Sequence, residues 1–195
     1  MSYSIVTRYQ VADPSALIKK APAIREKAIA AGAEGAALIQ PIAAGPNVDV
    51  MFALTVWNSV DAGIEGLGKL YADPDIEALR DGNPTLDRSI SKLMASYGDI
   101  DGQYIGMTRF TASEMSERGV AIAWEKGKAQ GITAIRASHC IAGGDNVGSY
   151  RAMFFTNSLD AWAQTIAELR ADDEYLSEMA RVNFEVVFRG IARRF

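Results

Sequence analysis

One cysteine and one histidine in 195 residues remove several classes of chemistry at once. Cys140 has no partner for an intrachain disulfide, so a reducing compartment is the simpler setting. No zinc site of the His/Cys type can be assembled from one of each, and no histidine-based triad motif is present. Long apolar runs are missing too: none approaches the ~20 residues that span a bilayer. The start, Met-Ser-Tyr-Ser-Ile-Val, enters strand-like alternation without the basic flank and apolar stretch of a signal peptide. Charge of either sign is modest, with a net −4, and the one basic cluster, Arg189, Arg193 and Arg194, reads as a solvated last strand. These absences lead us to expect a soluble, cytoplasmic protein with no nucleic-acid or membrane partner and no metal site.

What the chain does contain is a copy of itself. From Gly32 to Asp73 each residue has a counterpart about 99 positions later, without a gap, ending at Gly131 to Asp172. Gly45/Gly144, Asn47/Asn146, Val48/Val147, Asn58/Asn157, Ser59/Ser158, Asp61/Asp160 and Leu70/Leu169 are among the identities. Upstream, Thr7-Arg8-Tyr9 returns as Thr108-Arg109-Phe110 with a shift about two residues larger. The chain divides accordingly into modules 1–98 and 102–195, joined by the turn-rich Gly98 to Gly102.

Hydrophobic periodicity fills in each module. Tyr3 to Val11 alternates as a half-buried strand. Asp13-Pro14 opens a helix that Gly32 ends, with Pro22 as an irregularity inside it. Strands from about Ala36 to Ala43 and Val48 to Asn58 flank the turn Ala44-Gly45-Pro46-Asn47, and Asn58-Ser59-Val60-Asp61 starts the next helix. A second helical piece runs to about Arg80, and Arg88 to Tyr97 supplies a last element that the pattern does not identify as strand. The second module repeats the order: strand Gln103 to Thr111, helix Ser113 to Gln130, strands Ile132 to Ala142 and Val147 to Thr156, helices Ser158 to Arg170 and Asp172 to Arg181, and strand Phe184 to Ile191. Gly143-Gly144-Asp145 is a hairpin turn and not a phosphate loop, because a strand follows it.

Two β-α-β-β-α-β units, each with the Asn-Ser-x-Asp helix start after its third strand, resemble the dimeric α+β barrel superfamily in a fused tandem form. The resemblance implies an α+β fold of two tandem ferredoxin-like modules whose antiparallel sheets pack into a pseudo-dimeric barrel with the helices outside. Its members include cofactor-free monooxygenases, haem enzymes, isomerases, cyclases, stress-responsive proteins and ligand sensors, so the fold does not choose an activity.

Positions where the two copies differ point to candidates. His139 stands opposite Gln40 in the repeat and, inside a cavity, would serve as a general base or a haem ligand. Arg151 stands opposite Phe52 and is the candidate partner for a carboxylate or enolate. Arg8 and Arg109 recur, which suits a structural role, and Arg109 is also a ligand-binding candidate. Trp57 at a strand end, Tyr150 and Phe154 in the third strand of module two, and Glu185 in the last strand complete the ligand-binding set. Cys140 adjoins His139, but neighbouring strand residues point to opposite faces, which argues against a Cys-His couple. The expected function is a small-molecule-binding barrel, a cofactor-free monooxygenase, isomerase or cyclase for a small aromatic or polyketide-like substrate. The alternatives are a non-enzymatic ligand-binding or stress-related barrel without a pocket of about 300 Å³, and a haem-binding or haem-degrading protein. The sequence leaves self-association open.

Overall fold

Alternating inward and outward side chains along eight strands close this chain on itself. The computed structural model describes residues 2–47 and 49–195. Met1 and Val48, the latter taken from the sequence as the start of the third strand, lie outside the described residues. Module one runs β1 (Tyr3–Gln10), α1 (Pro14–Lys19), α2 (Ala21–Ala30), β2 (Gly35–Ala43), β3 (Val50–Trp57), α3 (Val60–Tyr71), α4 (Pro74–Asp81) and β4 (Thr85–Gly98). Module two runs β5 (Tyr104–Thr111), α5 (Glu117–Gln130), β6 (Ile132–Ala142), β7 (Tyr150–Thr156), α6 (Leu159–Arg170), α7 (Asp173–Arg181) and β8 (Glu185–Arg194). The element left unassigned from sequence is a 14-residue strand, β4. Its length follows from its two partners, β1 on one side and β6 of the other module on the other.

The strands form one closed antiparallel barrel in the order β1-β3-β2-β8-β5-β7-β6-β4. The seams between modules are the β4/β6 and β2/β8 ladders, the last strand of each copy pairing with the second strand of the other. Among the described residues no strand is left as an open edge, which removes the usual template for edge-to-edge aggregation. Because β1 and β5 lie an even number of antiparallel steps apart, they run in the same direction. Equivalent residues of the two modules therefore come to the same mouth of the barrel.

Pro22 ends up in the first turn of α2, where its missing N–H is one the helix would leave unpaired anyway, so the first helix of module one is split at Lys20. Its counterpart α5 is a single helix closed by Gly131 in the left-handed region. In the Asn-Ser-x-Asp motif it is the serine that caps: Ser59 accepts from the Ala62 amide at 3.0 Å and Ser158 from the Ala161 amide at 3.3 Å.

The helix-facing core shows how the copies diverged without changing shape. In module one Trp57, 1% exposed, projects from β3 onto α3, beside Ile5. A Cβ on Gly63 would lie 2.7 Å from Ile5 Cδ1 and 3.2 Å from the indole. In module two the equivalents of Ile5, Trp57 and Gly63 are Gly106, Thr156 and Trp162. Here the indole comes from the helix and the glycine lies on the strand, where a Cβ would sit 2.0 Å from Trp162 Nε1. The same volume is filled from opposite sides, as dense packing requires.

A further duplicated pair secures the second helix turn. Asp73 caps α4 and binds Lys27 Nζ at 2.6 Å; Asp172 caps α7 and binds Lys126 Nζ at 2.8 Å. The lysines, then the helix amides, hold both carboxyls below their ordinary range, against some opposing desolvation. A depressed carboxylate stabilises the fold above its unfolded pKa, near 3.8, and loses that contribution as pH falls through the lower folded value. We therefore expect Asp73→Asn with Asp172→Asn to lower the melting temperature at about pH 6 and to have little effect near pH 2. Melting curves of both proteins across that range check this, and a pH-independent difference would contradict it.

Candidate functional site

Between the helices and sheet of module one lies a cleft of about 70 Å³. Its walls are apolar, with Leu17, Leu67, Leu70, Ile76 and Leu79 among the lining residues. At one end sits a polar cluster. Tyr71, at the end of α3, accepts a hydrogen bond from Arg88 of β4 at 2.7 Å, and its hydroxyl lies 3.3 Å from that of Tyr9 on β1. Arg80 of α4 lies over the Tyr71 ring, its Cζ 4.1 Å from the centroid, a cation–π contact. Arg88 is oriented by a second bond, from Nε to the Thr7 hydroxyl at 3.0 Å.

Burial, reinforced by the Tyr71 phenol and its hydrogen bond, pushes the Tyr9 phenol well above its ordinary value, against the lowering influence of Arg88 and Arg80. Tyr9 thus stays protonated. With Tyr9 as donor, the Tyr71 oxygen receives two hydrogen bonds and its own proton is free for a third group. Arg80 Nε is buried without a partner, and among the described residues neither Arg80 nor Arg88 forms an ion pair. Two guanidinium charges and a phenol beside an apolar wall make a place for an oxygen anion.

Module two has kept the support and lost the cluster. Arg189 still bonds Thr108, at 3.3 Å, as Arg88 bonds Thr7. Phe110 replaces Tyr9, Arg170 replaces Tyr71 and Met179 replaces Arg80. The cleft there, about 60 Å³, is lined by Phe110, Met115, Phe154, Met179 and Phe184.

A cavity larger than either cleft, about 170 Å³, lies inside the barrel. Ile39, Leu54, Ile105 and Phe155 pack its floor, and Arg8, Asp87, Asn47, Arg109, Asn146 and Arg151 gather at one mouth. Arg8 Nε lies 2.9 Å from Asp87 Oδ2. That contact is one of charge, since the N–H is not aligned for a hydrogen bond, whereas Nη1 donates to Asn47 at 2.9 Å. Arg109 donates to Asn146 through Nη1 and leaves its buried Nε unpartnered. Arg151, 9% exposed, donates to Ser89 at 3.2 Å. Burial first lowers its readiness to hold charge; Arg109 adds to this, and Cys140 and Asp87 oppose it.

Of the residues singled out from sequence, Arg109 and Arg151 face the central cavity and are register partners across β5 and β7. His139 does not join them. Its strand partner is Tyr150, on the opposite face from the Ser138/Arg151 pair. The imidazole stacks on Tyr150 at 4.6 Å, and Tyr150 stacks on Phe110 at 5.6 Å, outside the barrel. A base role for His139 toward a molecule in the barrel therefore has no geometry here. Trp57 is core, its Nε1 donating to Thr55 at 2.8 Å. Phe154 lines the module-two cleft, and Glu185 is exposed at the start of β8. Tyr9, Tyr71, Arg80, Arg88 and Asp87 were not anticipated. A signal for them existed in the repeat, where Thr7/Thr108 and Arg88/Arg189 recur while Tyr9, Tyr71, Arg80 and Asp87 do not.

Element order, closed barrel and interior cavities together define an α+β barrel of the dimeric type, completed within one chain. Solved structures of this fold match along nearly the whole chain. A haem-binding protein from Thermus thermophilus superposes with a TM-score of 0.61 and 12% identity, over 100% of this chain and 93% of that one. An anthrone oxidase-like protein gives 0.56 and 12% identity over 100% and 91%. A candidate monooxygenase from Lactobacillus acidophilus NCFM gives 0.58 and 12% identity over 100% and 93%. No protein-family model matches the chain, and no curated protein matches it in sequence. Identities this low speak to the fold alone.

A histidine-ligated haem does not fit the residues present. The single histidine is stacked on the outer face and lines none of the three cavities, and each cavity is below the ~300 Å³ at which ligand pockets begin. Among the described residues no group of three or more His, Cys, Asp or Glu can hold a metal ion, and no helix is long and apolar enough to cross a membrane.

Proposed function

We propose that this chain is a cofactor-free oxygenase for an enolisable aromatic molecule whose reacting end enters the module-one cleft; at about 70 Å³ the cleft takes that end and not the whole ring system. The observation that carries this reading is the Tyr71 phenol, held by Arg88 at 2.7 Å and covered by Arg80, at the end of an apolar cleft. An acidic CH₂ beside a carbonyl loses its proton to solvent, and the resulting enolate oxygen is held by the Tyr71 hydroxyl and the free Arg80 Nε. The electron-rich enolate reduces O₂ directly, the two radicals combine to a hydroperoxide, and loss of water leaves a ketone. The net change is CH₂ + O₂ → C=O + H₂O. The protein lowers the cost of the anion. Arg88, behind Tyr71, is a positioning residue.

Oxygen uptake with anthrone as probe tests the reading: one O₂ consumed per anthrone, with the ketone as product and a rate above that of buffer alone, is the expected result. No acceleration over buffer would sink it. The cavity volumes, all below ~300 Å³, favour a second reading, a non-enzymatic barrel with a closed core. In that case the probe would show neither saturable binding nor oxygen uptake.

A further inference from the structure

The barrel interior is separate from the cleft, on the other face of the sheet, and its charge is not balanced. The duplication shows where. In module one the mouth carries Arg8, Phe52 and Asp87, the last two both in register with Arg8. In module two the equivalent positions carry Arg109, Arg151 and Phe188, again in register. Arg8 thus has a carboxylate at 2.9 Å. Arg109 has a phenyl ring in its place and gains a second arginine as neighbour. Among the described residues neither Arg109 nor Arg151 is in an ion pair, and the Arg109 Nε is buried with no acceptor. Buried donors are almost always paired, and a guanidinium is rarely buried without an anion.

We propose that the barrel interior is a second binding site, for the anion of a small aromatic carboxylic acid. The carboxylate bridges Arg109 and Arg151, with Asn146 and Ser138 beside it, and the ring lies on Met107, Met153 and Phe188. Thioether and ring contacts of this kind suit an aromatic body. A cavity of about 170 Å³ is of the size that admits one benzene ring. The acid end binds between Arg109 and Arg151 because, among the described residues, neither has a carboxylate at ion-pair distance, whereas Arg8 already has Asp87 at 2.9 Å.

The test is calorimetric titration of the full chain with benzoate and with benzamide, its neutral isostere. Benzoate binds saturably at one site per chain, benzamide at least ~10-fold more weakly, and benzoate affinity falls with added salt. Arg151→Met lowers benzoate affinity at least ~10-fold, and Arg151→Lys retains part of it. Phe188→Asp, which gives Arg109 the partner Arg8 has, lowers it as far, and this mouth position carries the test if Arg151→Met fails to fold. Tyr71→Phe leaves benzoate affinity unchanged, which separates this site from the cleft and its failure from that of the oxygenase reading. No saturable benzoate binding, equal binding of benzamide, or insensitivity to Phe188→Asp would each overturn the proposal.

Discussion

Tyr71→Phe is expected to cut the rate of oxygen uptake about 10²- to 10³-fold, the usual cost of removing one donor from an oxyanion site. The Tyr71 oxygen accepts from Arg88 at 2.7 Å, and with Tyr9 as donor in the 3.3 Å contact between the two hydroxyls the Tyr71 proton is left for an anion in the cleft. The enolate has far more charge on oxygen than the ketone from which it forms. The phenol therefore contributes chiefly after deprotonation, and kcat and kcat/KM fall together. Arg80→Met is expected to produce a loss of similar size, since Arg80 lines the cleft and its buried Nε has no acceptor. Arg88→Met acts through Tyr71 and changes the rate less, and Arg88→Lys, which keeps a donor, recovers part of the loss. Stability changes little in Tyr71→Phe, by about 1 kcal/mol for the lost hydrogen bond, so unfolding curves separate chemistry from folding. A Tyr71→Phe enzyme with unaltered turnover would remove the phenol from the mechanism.

The core exchange between the two modules predicts an equally large effect on stability. Trp57→Ala is expected to cost about 3–5 kcal/mol, as for other buried aromatic truncations. Gly63→Trp alone brings a second indole against Trp57 and Ile5 and is expected to prevent folding. Combined with Ile5→Gly and Trp57→Thr, the same substitution reproduces the module-two arrangement of Gly106, Thr156 and Trp162. The triple variant should then fold, with a favourable coupling of about 3 kcal/mol or more relative to the separate changes. Urea unfolding of the triple variant and of Ile5→Gly with Trp57→Thr measures it. A triple variant less stable than that double variant would mean that the modules fill this volume by different means.

Particular elements show how far the sequence carried. The repeat made both modules legible because duplicated packing keeps small turn and cap residues in register: Gly45/Gly144, Ser59/Ser158 and Asp73/Asp172 occupy equivalent places in the structure. β4 resisted because its two partners are β1 and a strand of the other module, so its pattern mixes two seams and carries register shifts against both. The candidate site was harder. Tyr9, Tyr71, Arg80 and Arg88 are scattered over about 80 residues of chain, and a pair such as Arg88 and Tyr71 is joined only when α3 docks on the sheet, over β3 and β1, beside β4. His139 drew notice by being unique, yet strand alternation could not say which face of the sheet it occupies. Arg151 drew notice by breaking the symmetry, and that signal led to the cavity.

By itself the sequence determined the duplication, the order of elements and the composition limits that leave no disulfide and no His/Cys zinc site. These depend on local patterns, which are written residue by residue. Only the tertiary structure decided the closure of eight strands into one barrel, the side of the sheet on which each arginine lies, and which charges find partners. Those depend on strand register and on contacts between distant segments. A one-residue shift of register would exchange Arg151 for Tyr150 at the cavity wall and move the whole site to the other face.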